Sequence, residues 1–304
     1  MKIGFGCQLW LMDNHFENFH RMLDELALVG LDGFEVCYSF LIEWYESRPN
    51  ELKELLKMHD LEFASYYTGI SFNHAERRRQ GVEEFKRRCR FTAQVNGKYV
   101  HLDGGEKDWR KEFKSEDDYI KSIAETANHL GEYAHSLGLT LSWHQHWGSI
   151  FESEPAFNRL MDLTDPKVVG FCPDVGQLKL CGFDVLATVR RFASRITFVH
   201  YKDITFAGRP QGDLWPGIKV PSDQGAYDVD SKGRWVELGR GAVPFKEITE
   251  ILLQAGYNGW LLDDFDYSGY PASTSAKACK DFINQGLGIW GERDIRRHQT
   301  QSSL

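Results

Sequence analysis

One stretch of the chain reads Thr140-Leu141-Ser142-Trp143-His144-Gln145-His146-Trp147-Gly148: a short, largely apolar run that ends in two histidines. Such a run is typical of a strand buried on both faces, and the amphipathic pattern of Tyr119 to Leu137 before it is typical of a helix. This pairing of a strand with a helix recurs at intervals close to the ~30 residues that one strand and one helix require, except for one interval that is about twice as long. The eight predicted strands are Ile3 to Leu9, Gly33 to Cys37, Glu62 to Tyr67, Tyr99 to Leu102, Thr140 to His144, Val168 to Cys172, Ile196 to His200 and Gly259 to Asp263.

The segments between these strands place their apolar residues on one side of a helix, as in Phe16 to Leu28, Glu154 to Leu163 and Phe245 to Ala255. Eight strand–helix units in 304 residues predict an α/β fold, the (β/α)8 or TIM barrel. A doubly wound sheet is the structural alternative, but no Gly-x-Gly-x-x-Gly motif follows any of the predicted strands.

Two segments depart from this regular alternation. Phe206 to Glu237 contains Pro, Gly, Asp and Trp without periodicity, and predicts a long loop before the eighth strand, over the mouth of the barrel. The end of the chain is polar and predicts a frayed tail. We therefore assign residues 1–290 to a single barrel domain and residues 291–304 to a C-terminal tail.

The composition is typical of a soluble globular protein, with 42% hydrophobic and 26% charged residues and a formal net charge of −8. No apolar run reaches the ~18 residues of a membrane helix, and Met1 to Gly6 lacks the pattern of a secretory signal. The net negative charge disfavours nucleic acid as a partner. The six cysteines form no Cys-x-x-Cys pair, so we expect neither a disulfide framework nor a zinc ribbon. We expect a cytoplasmic protein with a small-molecule substrate, and the sequence leaves a homo-oligomer open.

Polar side chains collect where the last four predicted strands end. His144 ends the fifth strand, Asp174 follows the sixth, His200 ends the seventh and Asp264 follows the eighth. The active residues of a barrel lie at the C-terminal ends of its strands, so these four side chains can converge on one point. Two imidazoles and two carboxylates suit a divalent cation, with Mn²⁺ as first choice and Co²⁺, Mg²⁺ or Zn²⁺ as alternatives. We choose Asp264 over Asp263 because neighbouring residues of a regular strand face opposite sides.

Three motifs in this region carry a family resemblance: His144-Gln145-His146-Trp147-Gly148, Asp174-Val175-Gly176-Gln177 and His200-Tyr201-Lys202-Asp203. Together they resemble the xylose-isomerase-like barrel superfamily, which contains sugar phosphate isomerases and epimerases, inosose dehydratases and DNA repair nucleases. The inosose dehydratase branch is the most similar, since its fifth strand carries His-x-His-Met-Gly where epimerases carry Glu-x-His. Leu163-Thr164-Asp165-Pro166, Glu237-Leu238-Gly239-Arg240-Gly241 and Tyr257-Asn258-Gly259-Trp260 also look like that branch. The resemblance implies a metal held by His144, Asp174, His200 and a carboxylate of the eighth strand.

Three positions depart from the family pattern. The ligand of the eighth strand is Glu in the family and Asp264 here, one methylene shorter. The family's Asp-x-x-His reads Asp174-x-x-Gln177, and a neutral amide cannot transfer protons. His144 stands where epimerases carry a Glu, and because their 1,2-shift uses paired carboxylate bases, this favours dehydratase-like chemistry.

Further residues near the strand ends are candidates for the reaction. Lys202 would donate a proton or stabilise an enolate oxygen, His146 would act as general acid or base, and Glu35 would act as a base. The alternatives are a solvated lysine for Lys202, a packed barrel histidine for His146 and a structural ion pair for Glu35. Asp203 is expected to contact substrate or to hold a neighbouring imidazole or loop. The predicted substrate-binding residues are Trp10, Tyr67, His101, Asp103, Gln177, Asp203 and Asp266.

The residues and the resemblance together predict a metal-dependent lyase or isomerase that acts on a keto-sugar or keto-polyol. Removal of the proton alpha to the carbonyl gives an enediolate; loss of a β-hydroxyl then gives dehydration, and reprotonation gives epimerisation or isomerisation. A sugar isomerase or epimerase and a C-glycoside-cleaving keto-sugar lyase are alternatives. Gln177 and Asp264 keep a sugar-binding barrel without catalysis open. A DNA repair nuclease needs a multi-metal cluster and a basic face, which the net charge of −8 disfavours.

Overall fold

The computed structural model describes residues 1–11, 16–206, 227–229, 233–266 and 268–301. Within these ranges, eight parallel strands form one sheet: β1 (Lys2–Gly6), β2 (Gly33–Val36), β3 (Glu62–Ile70), β4 (Tyr99–Gly104), β5 (Thr140–His144), β6 (Val169–Cys172), β7 (Val199–Tyr201) and β11 (Trp260–Asp263). Their order in the sheet is β6-β5-β4-β3-β2-β1-β11-β7, so strands that follow one another along the chain lie side by side. The strand assignments from the sequence hold, with ends that shift by a few residues.

Two backbone bridges close this sheet into a barrel between β6 and β7. Phe171 pairs with Ile196 and Asp174 pairs with His200, both in the parallel sense. The main-chain N–H of His200 donates to the carbonyl oxygen of Pro173 over 3.0 Å. The (β/α)8 barrel predicted from the sequence is therefore confirmed.

Helices join the strands and cover the outside of the barrel. Their apolar stripes face the sheet: in the first long helix, Phe19, Met22, Leu23 and Leu26 are all buried. The helices predicted from the sequence are present, with ends that differ by at most three residues. The helices are α1 (Gln8–Leu11), α2 (Glu17–Val29), α3 (Phe40–Tyr45), α4 (Pro49–His59), α5 (Ala75–Gln94), α6 (Glu116–Ser136), α7 (Glu154–Leu163), α8 (Val175–Leu180), α9 (Val185–Phe192), α10 (Phe245–Gln254), α11 (Ala272–Asp281) and α12 (Glu292–Gln301).

The structure bears on two further expectations, one about membrane-spanning helices and one about disulfides. Among the described residues, no helix combines the length and apolarity that crossing a bilayer requires. No disulfide joins the six cysteines, as their spacing in the sequence predicts. The cytoplasmic location and the oligomeric state stay predictions.

A small antiparallel sheet beside β7 corrects the prediction of a long loop over Phe206 to Glu237. Its strands are β8 (Asp203–Thr205), β9 (Tyr227–Val229) and β10 (Gly233–Val236), and β10 lies in the centre. The sequence does not reveal this sheet because its strands are only three or four residues long, too short for an alternating pattern to show. The rest of the predicted loop, residues 207–226 and 230–232, lies outside the described residues.

The last described residues form helix α12, which packs against the barrel through its first turn. The main-chain N–H of Arg293 donates to the carboxylate of Asp32 over 2.6 Å, and Asp294 accepts from Lys280 over 2.8 Å. All four of these residues are buried. The frayed tail expected from the sequence is therefore wrong as far as residue 301; residues 302–304 lie outside the described residues.

The buried pair between Lys280 and Asp294 predicts a stability change. Asp294→Ala should destabilise the protein by about 3 kcal/mol or more, because it leaves the ammonium of Lys280 buried without its carboxylate partner. Glu292→Ala is the matched control: its carboxylate is 45% exposed and lies 3.9 Å from Lys2, and exposed pairs contribute at most ~1 kcal/mol. Urea denaturation followed by circular dichroism measures both changes. Equal, small effects of the two substitutions would contradict a docked α12.

Candidate metal centre and active site

The four residues proposed as metal ligands meet at the C-terminal mouth of the barrel. They are His144 at the end of β5, Asp174 after β6, His200 in β7 and Asp264 after β11. One ligand atom of each lies within 4.8 Å of those of the other three, and all four side chains are buried. Nε2 of His144 is 3.6 Å from Oδ2 of Asp174, and Nδ1 of His200 is 3.8 Å from Oδ2 of Asp264. Asp263 faces away from the cluster, toward Cys279 of α11, as the alternation of a strand predicts.

The helix that follows Asp174 orients this carboxylate. Oδ1 caps α8 by accepting the main-chain N–H of Gln177 over 2.8 Å. Gly176, in the first turn, allows α8 to lie against the end of β7, since a Cβ there would be 2.6 Å from the carbonyl oxygen of Lys202. The cap holds one oxygen of Asp174 in place and presents the other, Oδ2, to His144.

The cluster contains buried polar atoms that have no hydrogen-bond partner among the described residues. They are both ring nitrogens of His144, Oδ2 of Asp174 and Nδ1 of His200. A buried polar atom without a partner costs about 1–3 kcal/mol, so several of them facing one point indicate a shared ligand. Two imidazole nitrogens and two carboxylate oxygens are a donor set that divalent transition metals accept. The residues present therefore fit a metal ion.

Lys202 lies beside this cluster, with its ammonium between two carboxylates. Nζ donates to Oδ2 of Asp264 over 3.1 Å and to Oδ2 of Asp266 over 2.6 Å, and lies 4.8 Å above the ring of Trp235. Burial alone would lower the pKa of Lys202, but the two carboxylates raise it, so the ammonium stays charged. Burial raises the pKa of Asp266. At Asp264 burial acts in the same direction, but the charges of Lys202, His200 and His144 together lower the pKa to about 2. The alternative of a solvated lysine is wrong, since Lys202 is buried.

Glu35 and His101 lie in a buried polar layer inside the barrel. Oε2 of Glu35 is 3.2 Å from Nε2 of His101 and 3.2 Å from Nε2 of His200, and it accepts from the hydroxyl of Ser65 over 2.6 Å. Burial alone would raise the pKa of Glu35, but the two histidines hold it well below its ordinary value. The ring of His101 packs against that of Phe198, with 4.5 Å between ring centres.

The roles expected for Glu35 as a base and for His101 as a substrate contact stay predictions. Glu35 is 2% exposed and His101 is fully buried, and the contacts that the structure shows for Glu35 are to His101, His200 and Ser65. The structural ion pair, the alternative for Glu35, describes what the structure shows.

Gln177 determines the hydrogen bonding of His146. Oε1 of Gln177 accepts the main-chain N–H of Trp147 over 3.1 Å, so its amide nitrogen faces Nε2 of His146 as a donor at 3.2 Å. Nε2 is then an acceptor, and Nδ1 donates its proton to the carbonyl oxygen of Trp147 over 2.6 Å. Both ring nitrogens are hydrogen-bonded, and the role of His146 as a general acid or base stays a prediction. Gln177 holds this ring, and its expected contact with substrate stays a prediction as well.

Trp10 and Asp203 are both buried and hydrogen-bonded within the fold. Nε1 of Trp10 donates to Glu25 over 2.7 Å, and its buried ring meets Phe5 edge-on, so Trp10 is a core residue. Asp203 accepts main-chain N–H groups from Ile204 and from three residues between 239 and 243. It therefore anchors the segment after β10, which is the loop-holding alternative to a substrate contact.

Tyr67 and Asp103 do border the mouth. The hydroxyl of Tyr67 donates to Oδ2 of Asp103 over 2.6 Å, and the ring of Tyr67 meets that of His144 edge-on, with 5.1 Å between ring centres. A cleft of about 260 Å³ opens next to them and is lined by Asp103, His146 and Trp147 among others. With Asp266, these residues remain candidates for contact with a substrate.

Two residues at the site were not anticipated. Gln8, just after β1, donates to Oδ1 of Asp264 over 2.6 Å and fixes that carboxylate from the side opposite Lys202. The feature of the sequence that could have indicated this role is the position of Gln8 near the end of the first predicted strand. Trp235 belongs to the side sheet, and no pattern in the sequence places β10 against Lys202.

The fold and the cluster define a TIM barrel with a candidate metal centre at its C-terminal mouth. A family model described as the xylose isomerase-like TIM barrel matches residues 23–281. Because this match covers most of the chain, the protein belongs to the xylose isomerase-like TIM barrel family, as the motifs predict.

Curated relatives align over nearly the whole chain. The chain is 27% identical to inosose dehydratase 2 of Bacillus cereus, with 95% of this chain and 98% of the relative covered. It is 25% identical to inosose dehydratase of Geobacillus kaustophilus, with 93% and 94% covered. The resemblance to the inosose dehydratase branch is thereby confirmed.

Solved structures share the barrel at lower sequence identity. A crystal structure of the IOLI protein with a bound zinc atom superposes with a TM-score of 0.71 at 16% identity and covers 95% of this chain and 98% of that chain. A D-tagatose 3-epimerase-like protein superposes with a TM-score of 0.70 at 17% identity and the same coverage. At these identities the likeness shows the common fold.

Gln177→Glu tests the hydrogen-bonding state of His146. A carboxylate only accepts hydrogen bonds, so the substituted side chain would still accept the main-chain N–H of Trp147. It can form a hydrogen bond with His146 only if Nε2 of that ring carries a proton. We expect ¹H–¹⁵N NMR at neutral pH to show Nε2 unprotonated in the wild type and both nitrogens protonated in the variant. Gln177→Leu should leave the ring neutral and destabilise the protein by about 1–3 kcal/mol, because the N–H of Trp147 loses its acceptor. The same His146 spectrum in Gln177→Glu and wild type would contradict the assignment.

Proposed function

We propose that this protein is a divalent-metal-dependent lyase that removes water from a keto-polyol or keto-sugar. The observation that carries this proposal is the convergence of four buried donor groups beside the ion pair between Lys202 and Asp266. Relatives named inosose dehydratase, aligned over nearly the whole chain, support the reaction and the substrate class. The cluster supplies a place for a cation, and the ion pair supplies groups that can move protons.

His144, Asp174, His200 and Asp264 would hold the ion. Mixed nitrogen and oxygen ligation suits Mn²⁺, our first choice, as well as Co²⁺, Mg²⁺ and Zn²⁺. When bound, the ion would polarise a carbonyl oxygen and so acidify the neighbouring C–H. Gln8 and Lys202 fix the carboxylate of Asp264 from two sides, which orients this donor before any ion is bound.

Asp266 and Lys202 move the two protons that a dehydration requires. The side chain of Asp266 is 31% exposed at the mouth, and as a carboxylate it takes the proton alpha to the carbonyl. The charged Lys202 gives a proton to the β-hydroxyl, whose C–O bond breaks so that it leaves as water. The proton on Asp266 then returns to Lys202 across their 2.6 Å hydrogen bond, and the pair regains its starting state.

The same pair favours dehydration over epimerisation. An epimerase that inverts one carbon needs a second base on the opposite face of that carbon. Of the residues expected to act as bases, His146 has both nitrogens hydrogen-bonded, and Glu35 is hydrogen-bonded to Ser65 and His200. Asp103, which lines the cleft, and Tyr67, which donates to Asp103, are suited to hold substrate hydroxyls.

The metal content of the purified protein is the first test. We expect about one divalent cation per chain, because the four donors complete a single site. His200→Ala should lose the ion, whereas His135→Ala, which removes an exposed histidine of α6, should keep it. Elemental analysis and a titration with Mn²⁺ measure both. Wild-type protein with no bound ion and no affinity for added Mn²⁺, Co²⁺ or Zn²⁺ would end the proposal.

Asp266→Asn tests the proton transfer. The variant should bind the ion as the wild type does, but exchange the alpha proton of an inosose-type keto-polyol with D₂O ~10²- to 10⁴-fold more slowly. Asp108→Asn, at an exposed carboxylate, is the control. NMR in D₂O follows the alpha proton and the loss of water in one experiment. Unimpaired exchange in Asp266→Asn would exclude it as the base, and exchange without loss of water in the wild type would indicate an epimerase or isomerase instead.

A further inference from the structure

One oxygen of a buried carboxylate connects His200 to the far side of the barrel interior. Oε2 of Glu35, on β2, lies 3.2 Å from Nε2 of His200 on β7 and 3.2 Å from Nε2 of His101 on β4. The hydroxyl of Ser65 donates to the same oxygen over 2.6 Å. His200 and Ser65 are the two neighbours that hydrogen-bond to this oxygen.

The proton on His200 follows from this arrangement. An ionised carboxylate accepts and never donates, so His200 must present Nε2–H to Glu35. An imidazole that binds a metal ion carries its proton on the other nitrogen, and Nδ1 is therefore the ligating atom. Nδ1 of His200 is the nitrogen that lies 3.8 Å from Oδ2 of Asp264 and has no hydrogen-bond partner among the described residues. One ring thus joins the buried layer to the cluster at the mouth.

We propose that Glu35 is a positioning residue that keeps the proton of His200 on Nε2 and thereby presents the lone pair of Nδ1 to the metal ion. This inference rests on the proposed function, because only a bound ion makes use of that lone pair. A carboxylate behind a ligating histidine fixes the orientation of the ring and raises its basicity. Glu35 therefore acts through His200 and does not touch the substrate.

The inference also limits the number of ions. His101, Cys172 and His200 form a second group whose ligand atoms lie within 4.8 Å of one another. With Nδ1 on the ion at the mouth and Nε2–H on Glu35, His200 has no nitrogen left for this group. We therefore expect one ion at the mouth and none at Cys172.

The test compares wild type and Glu35→Gln with Zn²⁺ as a diamagnetic probe. In ¹H–¹⁵N spectra, zinc-loaded wild type should show zinc on Nδ1 of His200 and a slowly exchanging proton on Nε2. Glu35→Gln should lose the protected proton and bind zinc ~10- to 100-fold more weakly. Asp32→Asn is the control, because it removes a buried carboxylate that accepts from the main chain of Ile3, outside the cluster. This variant should bind zinc as tightly as wild type, whatever its stability.

The outcomes separate this role from the proposed function. Zinc on Nε2 of His200 in the wild type would overturn the inference without any variant, and so would two zinc ions per chain. Equal zinc affinity of wild type and a folded Glu35→Gln would overturn it as well. Failure of the proposed function looks different: zinc binds through Nδ1 and depends on Glu35, which supports the inference, but no keto-polyol exchanges its alpha proton.

Discussion

The backbone bridge between Asp174 and His200 is the contact on which both the barrel and its site depend. It closes the sheet between β6 and β7, the strands at the two ends of its order. Closure also carries two polar side chains into a region where water no longer reaches them. Buried polar atoms must find partners inside the protein or bind a ligand. The step that completes the fold therefore creates the requirement that a cation would satisfy.

Carboxylates near this bridge are paired with nitrogen-containing side chains. Lys202 lies between Asp264 and Asp266, and Glu35 lies between two histidines. Removing one partner of such a buried contact leaves the other uncompensated, at a cost of several kcal/mol. The network thus fixes the orientation of each side chain as well as its charge. Preorganisation of this kind is what a metal-assisted proton transfer requires, because the groups need not rearrange when charge develops.

Membership of the family describes the fold, whereas the residues at the mouth of the barrel bear on the reaction. The barrel is shared with proteins whose names describe dehydratases and epimerases, so the fold alone leaves the reaction open. The residues that differ from the family pattern bear on the choice. His144 gives the cluster a second imidazole, and Gln177 is hydrogen-bonded to His146.

The sequence by itself determined the barrel and the four clustered residues. Strands and helices can be predicted from local periodicity. Because the parallel strands of a barrel bring their C-terminal ends to one mouth, the clustering of His144, Asp174, His200 and Asp264 was predictable from their positions at the ends of strands. Only the tertiary structure decided the roles of the neighbours. Glu35 contacts two histidines, both ring nitrogens of His146 are hydrogen-bonded, and Trp235 reaches Lys202 from strands too short to recognise. The physical reason is that hydrogen-bond direction and contacts between distant segments depend on the stagger and closure of the whole barrel, whereas periodicity is a property of a few consecutive residues.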